Sequence, residues 1–192
     1  MSCQIVVVGS SWGGITALGR LLCGLPEALA PPVLVAQHRR DAPSMLARLL
    51  ERQTGRTVRD ASDKDPLLPG VVYLAPAGYH LLVERPGHLA LSTEGPVRFA
   101  RPSIDVLFES AAVAYRGGVV GVVLTGTNDD GAAGLAAIVA RGGHAVVQDP
   151  ASAERPAMPL AALATGIAAT VLPLDEIGPY IGSRCGSEAV PA

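Results

Sequence analysis

Ser11 lies in Gly9-Ser10-Ser11-Trp12-Gly13, directly after the apolar run Ile5-Val6-Val7-Val8. A buried strand, a G-x-S-x-G turn and then a helical pattern are the setting of a nucleophile elbow. The glycines permit a tight, strained turn, and the helix start aims backbone N–H groups at developing negative charge. A serine hydroxyl needs a base at neutral pH, and imidazole is the side chain suited to that task. His38 follows the buried run Val33-Leu34-Val35-Ala36-Gln37, while Asp129 and Asp130 follow Val122-Val123-Leu124-Thr125-Gly126. Hydroxyl, imidazole and carboxylate at three strand ends are the parts of a charge-oriented nucleophile. Plainer readings stand beside this one. Ser11 is also placed to cap the helix that follows it, and Asp130 to cap a helix opening at Gly131. His38, followed by Arg39 and Arg40, also fits a basic surface loop.

The elements that would carry these residues alternate between short β-branched runs and helical stripes. Residues 5–8 are a first strand, and Ile15, Leu18, Leu21, Leu22 and Leu25 form a helical stripe stopped by Pro26. Val33–Gln37 is a second strand. Ser44 is placed to cap a helix through Leu46, Leu49 and Leu50 that ends near Gly55. Residues 57–61 and 71–75 read as strands, and 79–84 and 88–92 as an antiparallel hairpin turning at Arg85-Pro86-Gly87. Helices are expected over 103–115, 131–140, 156–164 and 175–181, and strands over 119–124, 145–148 and 169–172. Such repeated β–α–β units predict an α/β fold, doubly wound around a mostly parallel sheet with helices on both faces and an antiparallel hairpin. Chemistry in such a sheet collects beyond the carboxyl ends of its strands. His80 and His88 fall in the hairpin, and His144 opens a strand at its amino end.

Composition narrows the class. A chain of 192 residues suits one domain, expected over 1–182 with a loose tail over 183–192. Hydrophobic residues make up 49%, enough for a sizeable core, and a formal charge of −2 gives no reason to expect a nucleic-acid partner. No apolar run approaches the ~20 residues of a membrane span, and the N-terminus lacks a basic segment before its apolar run. Cys3, Cys23 and Cys185 are odd in number without framework spacing, which fits reduced cytoplasmic thiols and no zinc site.

The chain order Ser11…His38…Asp130 departs from the Ser…Asp…His order of the α/β-hydrolases. Further segments carry a different likeness. They are Val35-Ala36-Gln37-His38, Tyr73-Leu74-Ala75-Pro76, Arg101-Pro102-Ser103-Ile104-Asp105-Val106-Leu107-Phe108, Val123-Leu124-Thr125-Gly126-Thr127-Asn128-Asp129-Asp130-Gly131, Val147-Gln148-Asp149 and Val171-Leu172-Pro173-Leu174. With the Ser11 loop, they resemble in order and spacing the catalytic domain of the CheB-type chemotaxis protein-glutamate methylesterases, over nearly the whole chain. The resemblance implies a serine hydrolase that cleaves glutamyl methyl esters on the cytoplasmic helices of chemoreceptors and deamidates certain receptor glutamines. It places the triad at Ser11, His38 and Asp130, not Asp129, and implies no cofactor or metal. It places the oxyanion hole at the backbone of Trp12 and Thr127.

This sequence departs from the family pattern where Trp12 stands for a usual Thr, Thr127 for Met, Asn128 for Gly, and Arg39-Arg40 for an apolar residue. Arg39, Arg40 and Arg101 are expected at the cleft rim, facing acidic receptor helices. The family's receiver domain has no counterpart before Ile5, so a stand-alone domain is expected, with an open site or one covered by a separate regulatory protein. The substitutions also motivate an inactive binding or scaffold homologue. A nucleotide-binding reading of the Gly9–Gly14 loop lacks both G-K-[ST] and G-x-G-x-x-G.

Overall fold

The computed structural model describes residues 2–39, 45–84 and 87–186. In chain order the elements are β1 (Ile5–Ser10), α1 (Gly14–Gly24), β2 (Val33–Gln37), α2 (Leu46–Thr54), β3 (Val58–Asp60), β4 (Val72–Leu74), β5 (His80–Glu84), β6 (His88–Ser92), α3 (Ile104–Tyr115), β7 (Val119–Val123), α4 (Ala132–Ala140), β8 (His144–Gln148), α5 (Ala157–Ala164), β9 (Ala169–Leu172) and α6 (Leu174–Cys185). Seven strands form one sheet in the order β3-β4-β2-β1-β7-β8-β9, and β5 with β6 forms a separate two-stranded sheet. Every pairing in the large sheet is parallel, while the hairpin is antiparallel.

The strands are apolar on both faces because helices cover both. Side chains alternate across a strand, so each run divides between two cores. Val6, Val8, Val33, Val35, Val120 and Val122 join Leu18, Leu21, Leu22, Leu50 and Ile177 from α1, α2 and α6. Ile5, Val7, Leu34, Ala36 and Val123 join Leu107, Phe108, Leu135 and Ala162 from α3, α4 and α5, with Leu81 and Leu89 of the hairpin. From β1 the chain walks outward through β2 to the β3–β4 edge. It then returns by way of the hairpin and α3 to β7, on the other side of β1. The connections therefore diverge between β1 and β7, and sheets of this kind bind ligands beyond the carboxyl ends at such a divergence.

Three expectations are corrected near the C-terminus. The last helix is not confined to 175–181, nor does a loose tail begin at 183, because α6 continues to Cys185. Cys3 and Cys185 are joined as a disulfide rather than standing as reduced thiols, and Cys23 is free and exposed. Ser44, Arg85 and Pro86, read as a cap and a turn, lie outside the described residues.

Candidate active site

The Ser11 loop is stitched to the strands on either side of it. Ser11 donates its N–H to the Thr125 carbonyl beyond β7 at 3.0 Å, and His38 donates its N–H to the Ser10 carbonyl at 2.9 Å. Gln37 ties the same two loops from within the sheet. Its Nε2 donates to the carbonyls of both Ser11 (2.8 Å) and His38 (2.9 Å), and its Oε1 accepts from Ser10 Oγ. The chain then turns into α1 through Gly13, at φ 78°, a left-handed conformation that glycine adopts without a Cβ penalty. Among the described residues no side chain caps α1, so the capping role weighed for Ser11 is not realised.

His38 and Asp130 meet. His38 Nε2 lies 2.7 Å from Asp130 Oδ2, with the imidazole 13% exposed and the carboxylate wholly buried. Asp130 is held by the N-terminus of α3. Its Oδ1 accepts from Ser103 Oγ (2.9 Å) and Asp105 N–H (3.0 Å), and its Oδ2 from Ile104 N–H (2.7 Å). Burial alone would raise its pKa, but the His38 hydrogen bond and the N–H groups of Asp105 and Ile104 outweigh burial and lower it. A carboxylate surrounded by donors accepts only, so His38 Nε2 carries the proton. That leaves Nδ1 as the unprotonated nitrogen. Ser11 Oγ has no hydrogen-bond partner among the described residues.

Asp105 was not singled out from sequence, yet it completes the arrangement. Its Oδ1 accepts from the N–H groups of Gly131 (2.9 Å) and Gly134 (2.7 Å), at the start of α4. Each aspartate thus serves the other's helix. Asp130, just before α4, caps α3, and Asp105, in the first turn of α3, caps α4. Gly131, at φ 100°, is the N-cap residue of α4 and has no side chain to offer. Burial pushes the Asp105 pKa up, the Gly134 N–H opposes this, and the Asp130 charge adds to the rise. Asp129 points elsewhere and pairs with Arg98. His80 supports the same helix start from below. Its Nδ1 accepts from Ser103 N–H at 3.1 Å, which leaves Nε2 to donate to the Gly95 carbonyl.

The remaining sequence-derived residues divide. The N–H groups of Trp12 and Thr127 have no acceptor among the described residues, and both residues are exposed. The Trp12 indole donates to Glu154 at 3.0 Å and lies under the Arg155 guanidinium. Arg39 is a correction. Its side chain is 13% exposed and turned inward, donating to Asp60 (2.9 Å) and to the Ala75 carbonyl (2.7 Å), so it is not a free rim charge. Arg40 lies outside the described residues. Arg101 donates to the carbonyls of Thr93 and Glu94 and fastens the segment after β6. Among the described residues, no group of three His, Cys, Asp or Glu is placed to hold a metal ion.

The profile of the CheB methylesterase family matches residues 6–181, which takes in every element from β1 to most of α6. The chain belongs to this family. A Caulobacter vibrioides protein named protein-glutamate methylesterase/protein-glutamine glutaminase 2 is 44% identical over 97% of this chain and 55% of its own length. A Bordetella parapertussis protein named for the same two activities is 43% identical over 95% of this chain and 53% of its own. The chain thus spans about half the length of these curated relatives. A Leptospira interrogans relative, named "putative protein-glutamate methylesterase/protein-glutamine glutaminase", is 41% identical and matched over 92% of each chain. The crystal structure of the Thermotoga maritima CheB methylesterase catalytic domain superposes with a TM-score of 0.87 at 31% identity, covering 94% of this chain and 98% of that one. No helix among the described residues is long and apolar enough to cross a membrane.

Proposed function

We propose that this chain is a protein-glutamate methylesterase that hydrolyses glutamyl methyl esters on the cytoplasmic helices of chemoreceptors, and deamidates receptor glutamines, in the cytoplasm. Ser11 Oγ attacks the ester carbonyl while His38 Nδ1 takes its proton. The N–H groups of Trp12 and Thr127 receive the developing oxyanion, which needs backbone only, so the side chains at those positions bear on the rim rather than on this role. The C–O bond to the leaving group breaks, methanol departs with the proton from His38, and a glutamyl ester of Ser11 remains. Water then attacks that ester, His38 takes its proton and returns one to Ser11, and glutamate is released. A glutamine side chain follows the same course with ammonia as the leaving group. Asp130 keeps Nε2 protonated and stabilises the imidazolium.

The observation that carries this reading is the 2.7 Å His38–Asp130 contact, in which a saturated carboxylate leaves the opposite imidazole nitrogen as the base beside the Ser11 loop. Family membership and the names of the relatives support the substrate class. The test is methanol release from methylated receptor fragments. Ser11→Ala is expected to abolish it and to abolish labelling by a fluorophosphonate. Because Ser11 caps no helix, the variant should melt close to the wild-type temperature. Near-normal methanol release by Ser11→Ala would remove the nucleophile assignment.

A further inference from the structure

The segment between β6 and α3 holds an unusual turn. Val97 and Ala100 exchange both backbone hydrogen bonds, at 3.1 and 2.9 Å, around the two-residue loop Arg98-Phe99. Both loop residues are left-handed, at φ 49° and 62°. This is the geometry of the tight hairpin turn that Asn-Gly favours, and a bulky residue there costs about 1–3 kcal/mol of strain. The strain is sustained by a clamp. Arg98 Nε donates to the buried Asp105 at 3.0 Å, and Arg98 NH1 pairs with Asp129, the neighbour of Asp130. The result of this conformation is that Phe99 stands fully exposed, uncovered by any described part of the chain. A strained backbone that pushes an aromatic ring into water gains nothing inside the folded chain.

We propose that Phe99 is a substrate anchor: its ring docks against an apolar side chain of the protein that carries the esterified glutamate, and so sets which esters reach Ser11. This rests on the function proposed above. The occupant is the substrate protein itself. Arg98 pairs with Asp129, the sequence neighbour of Asp130, so the turn is tied to the loop that carries the proposed triad carboxylate, and a substrate protein bound at that loop is the occupant within reach of Phe99. Aromatic rings are the side chains that most often anchor such contacts. The side chain acts in binding alone and touches no reacting atom.

Phe99→Gly separates this role from a structural one, because glycine suits the left-handed position and removes only the ring. The variant is expected to keep or raise the melting temperature. KM for a methylated receptor fragment should rise about tenfold with kcat little changed, the size of effect typical of a lost aromatic anchor. Hydrolysis of a small glutamate methyl ester and the rate of fluorophosphonate labelling should match wild type. Phe99→Asn, which also tolerates the left-handed region, should behave as Phe99→Gly, and Phe99→Trp, which keeps an aromatic ring, should keep KM near the wild-type value. A wild-type KM for the receptor fragment in both Phe99→Gly and Phe99→Asn overturns the anchor while leaving the methylesterase reading intact. Fluorophosphonate labelling of the wild type without methanol release from the receptor fragment overturns that reading, and the anchor with it.

Discussion

Asp130 accepts four hydrogen bonds and lies wholly buried, so its charge is specified more tightly than that of any other candidate residue in the site. Replacing it by Asn substitutes an N–H for one acceptor, which favours the wrong imidazole tautomer. By analogy with serine proteases, Asp130→Asn should lower kcat for methanol release by about 10⁴. Asp129→Asn should cost far less, since among the described residues the Asp129 side chain pairs only with Arg98. A larger loss in Asp129→Asn would move the carboxylate role to that residue. Stability follows the same carboxylate. Its pKa is lowered in the folded state, so its contribution is present above the unfolded value and fades as pH falls through the folded one. The stability gap between wild type and Asp130→Asn should therefore hold at neutral pH and close below about pH 3.9, the ordinary aspartate value. Urea midpoints measured across that range check it, and a gap that persists into strong acid would contradict the assignment. At this scale the meeting of His38 and Asp130 next to the Ser11 loop was legible because each of the three follows a buried strand, and strand direction places strand ends together. Arg39 was misread for a related reason. Its position beside His38 is set by the strand, but whether its side chain runs outward or back to Asp60 is decided by β3, a neighbour remote in sequence.

The elements α3 and α4 exchange carboxylates, and this exchange ties the residue proposed to orient His38 to the folding of both helices. Helix N-termini leave N–H groups without partners, and here Asp130 satisfies those of α3 while Asp105 satisfies those of α4. Asp105→Ala would leave the buried N–H groups of Gly131 and Gly134 without an acceptor, at a cost of about 1–3 kcal/mol. Asp105→Asn keeps Oδ1 as the acceptor for both N–H groups and removes a charge whose burial is unfavourable, giving up only the Oδ2 pair with the part-exposed Arg98, which can turn to water. The expected outcome is a melting temperature roughly 2–10 °C lower for Asp105→Ala and close to wild type for Asp105→Asn, read by differential scanning calorimetry. Equal losses in the two variants would show that charge, not hydrogen bonding, matters at this position. The sequence did signal a helix opening at Ser103, and Ser103 Oγ does accept from Val106 N–H as an N-cap. What it did not signal was the partner of Asp105. An acidic residue in the first turn reads as an ordinary complement to its own helix dipole. That it reaches a second helix depends on the close approach of α3 and α4, where Gly134 leaves room for Asp105 and Phe108.

At the scale of the whole molecule, the alternation of β-branched runs and helical stripes made the α/β class legible, but not the order of the strands, which depends on the return of the chain to β7 across β1. The same long-range packing hid the disulfide. Cys3 and Cys185 are 182 residues apart, and only the docking of α6 against the core that also holds Val6 brings them together. The bridge precedes β1, so it lies at the amino ends of the strands, whereas Ser11, His38 and Asp130 lie at the carboxyl ends. Cross-linking nearly the whole chain restricts the unfolded ensemble, and a native disulfide of this kind contributes about 2–5 kcal/mol. For a chain of this size that corresponds to roughly 4–20 °C. Oxidised wild type is therefore expected to melt that much higher than Cys3→Ser, and adding a reductant should bring the two together. Thiol titration should find Cys23 alone in the oxidised protein after denaturation and three thiols after reduction. Because the bridge is at the opposite end of the sheet from Ser11, kcat should be the same in Cys3→Ser and wild type below either melting transition. A wild-type melting temperature that does not respond to reductant, with three titratable thiols throughout, would mean that α6 is held by its packing against α1 alone.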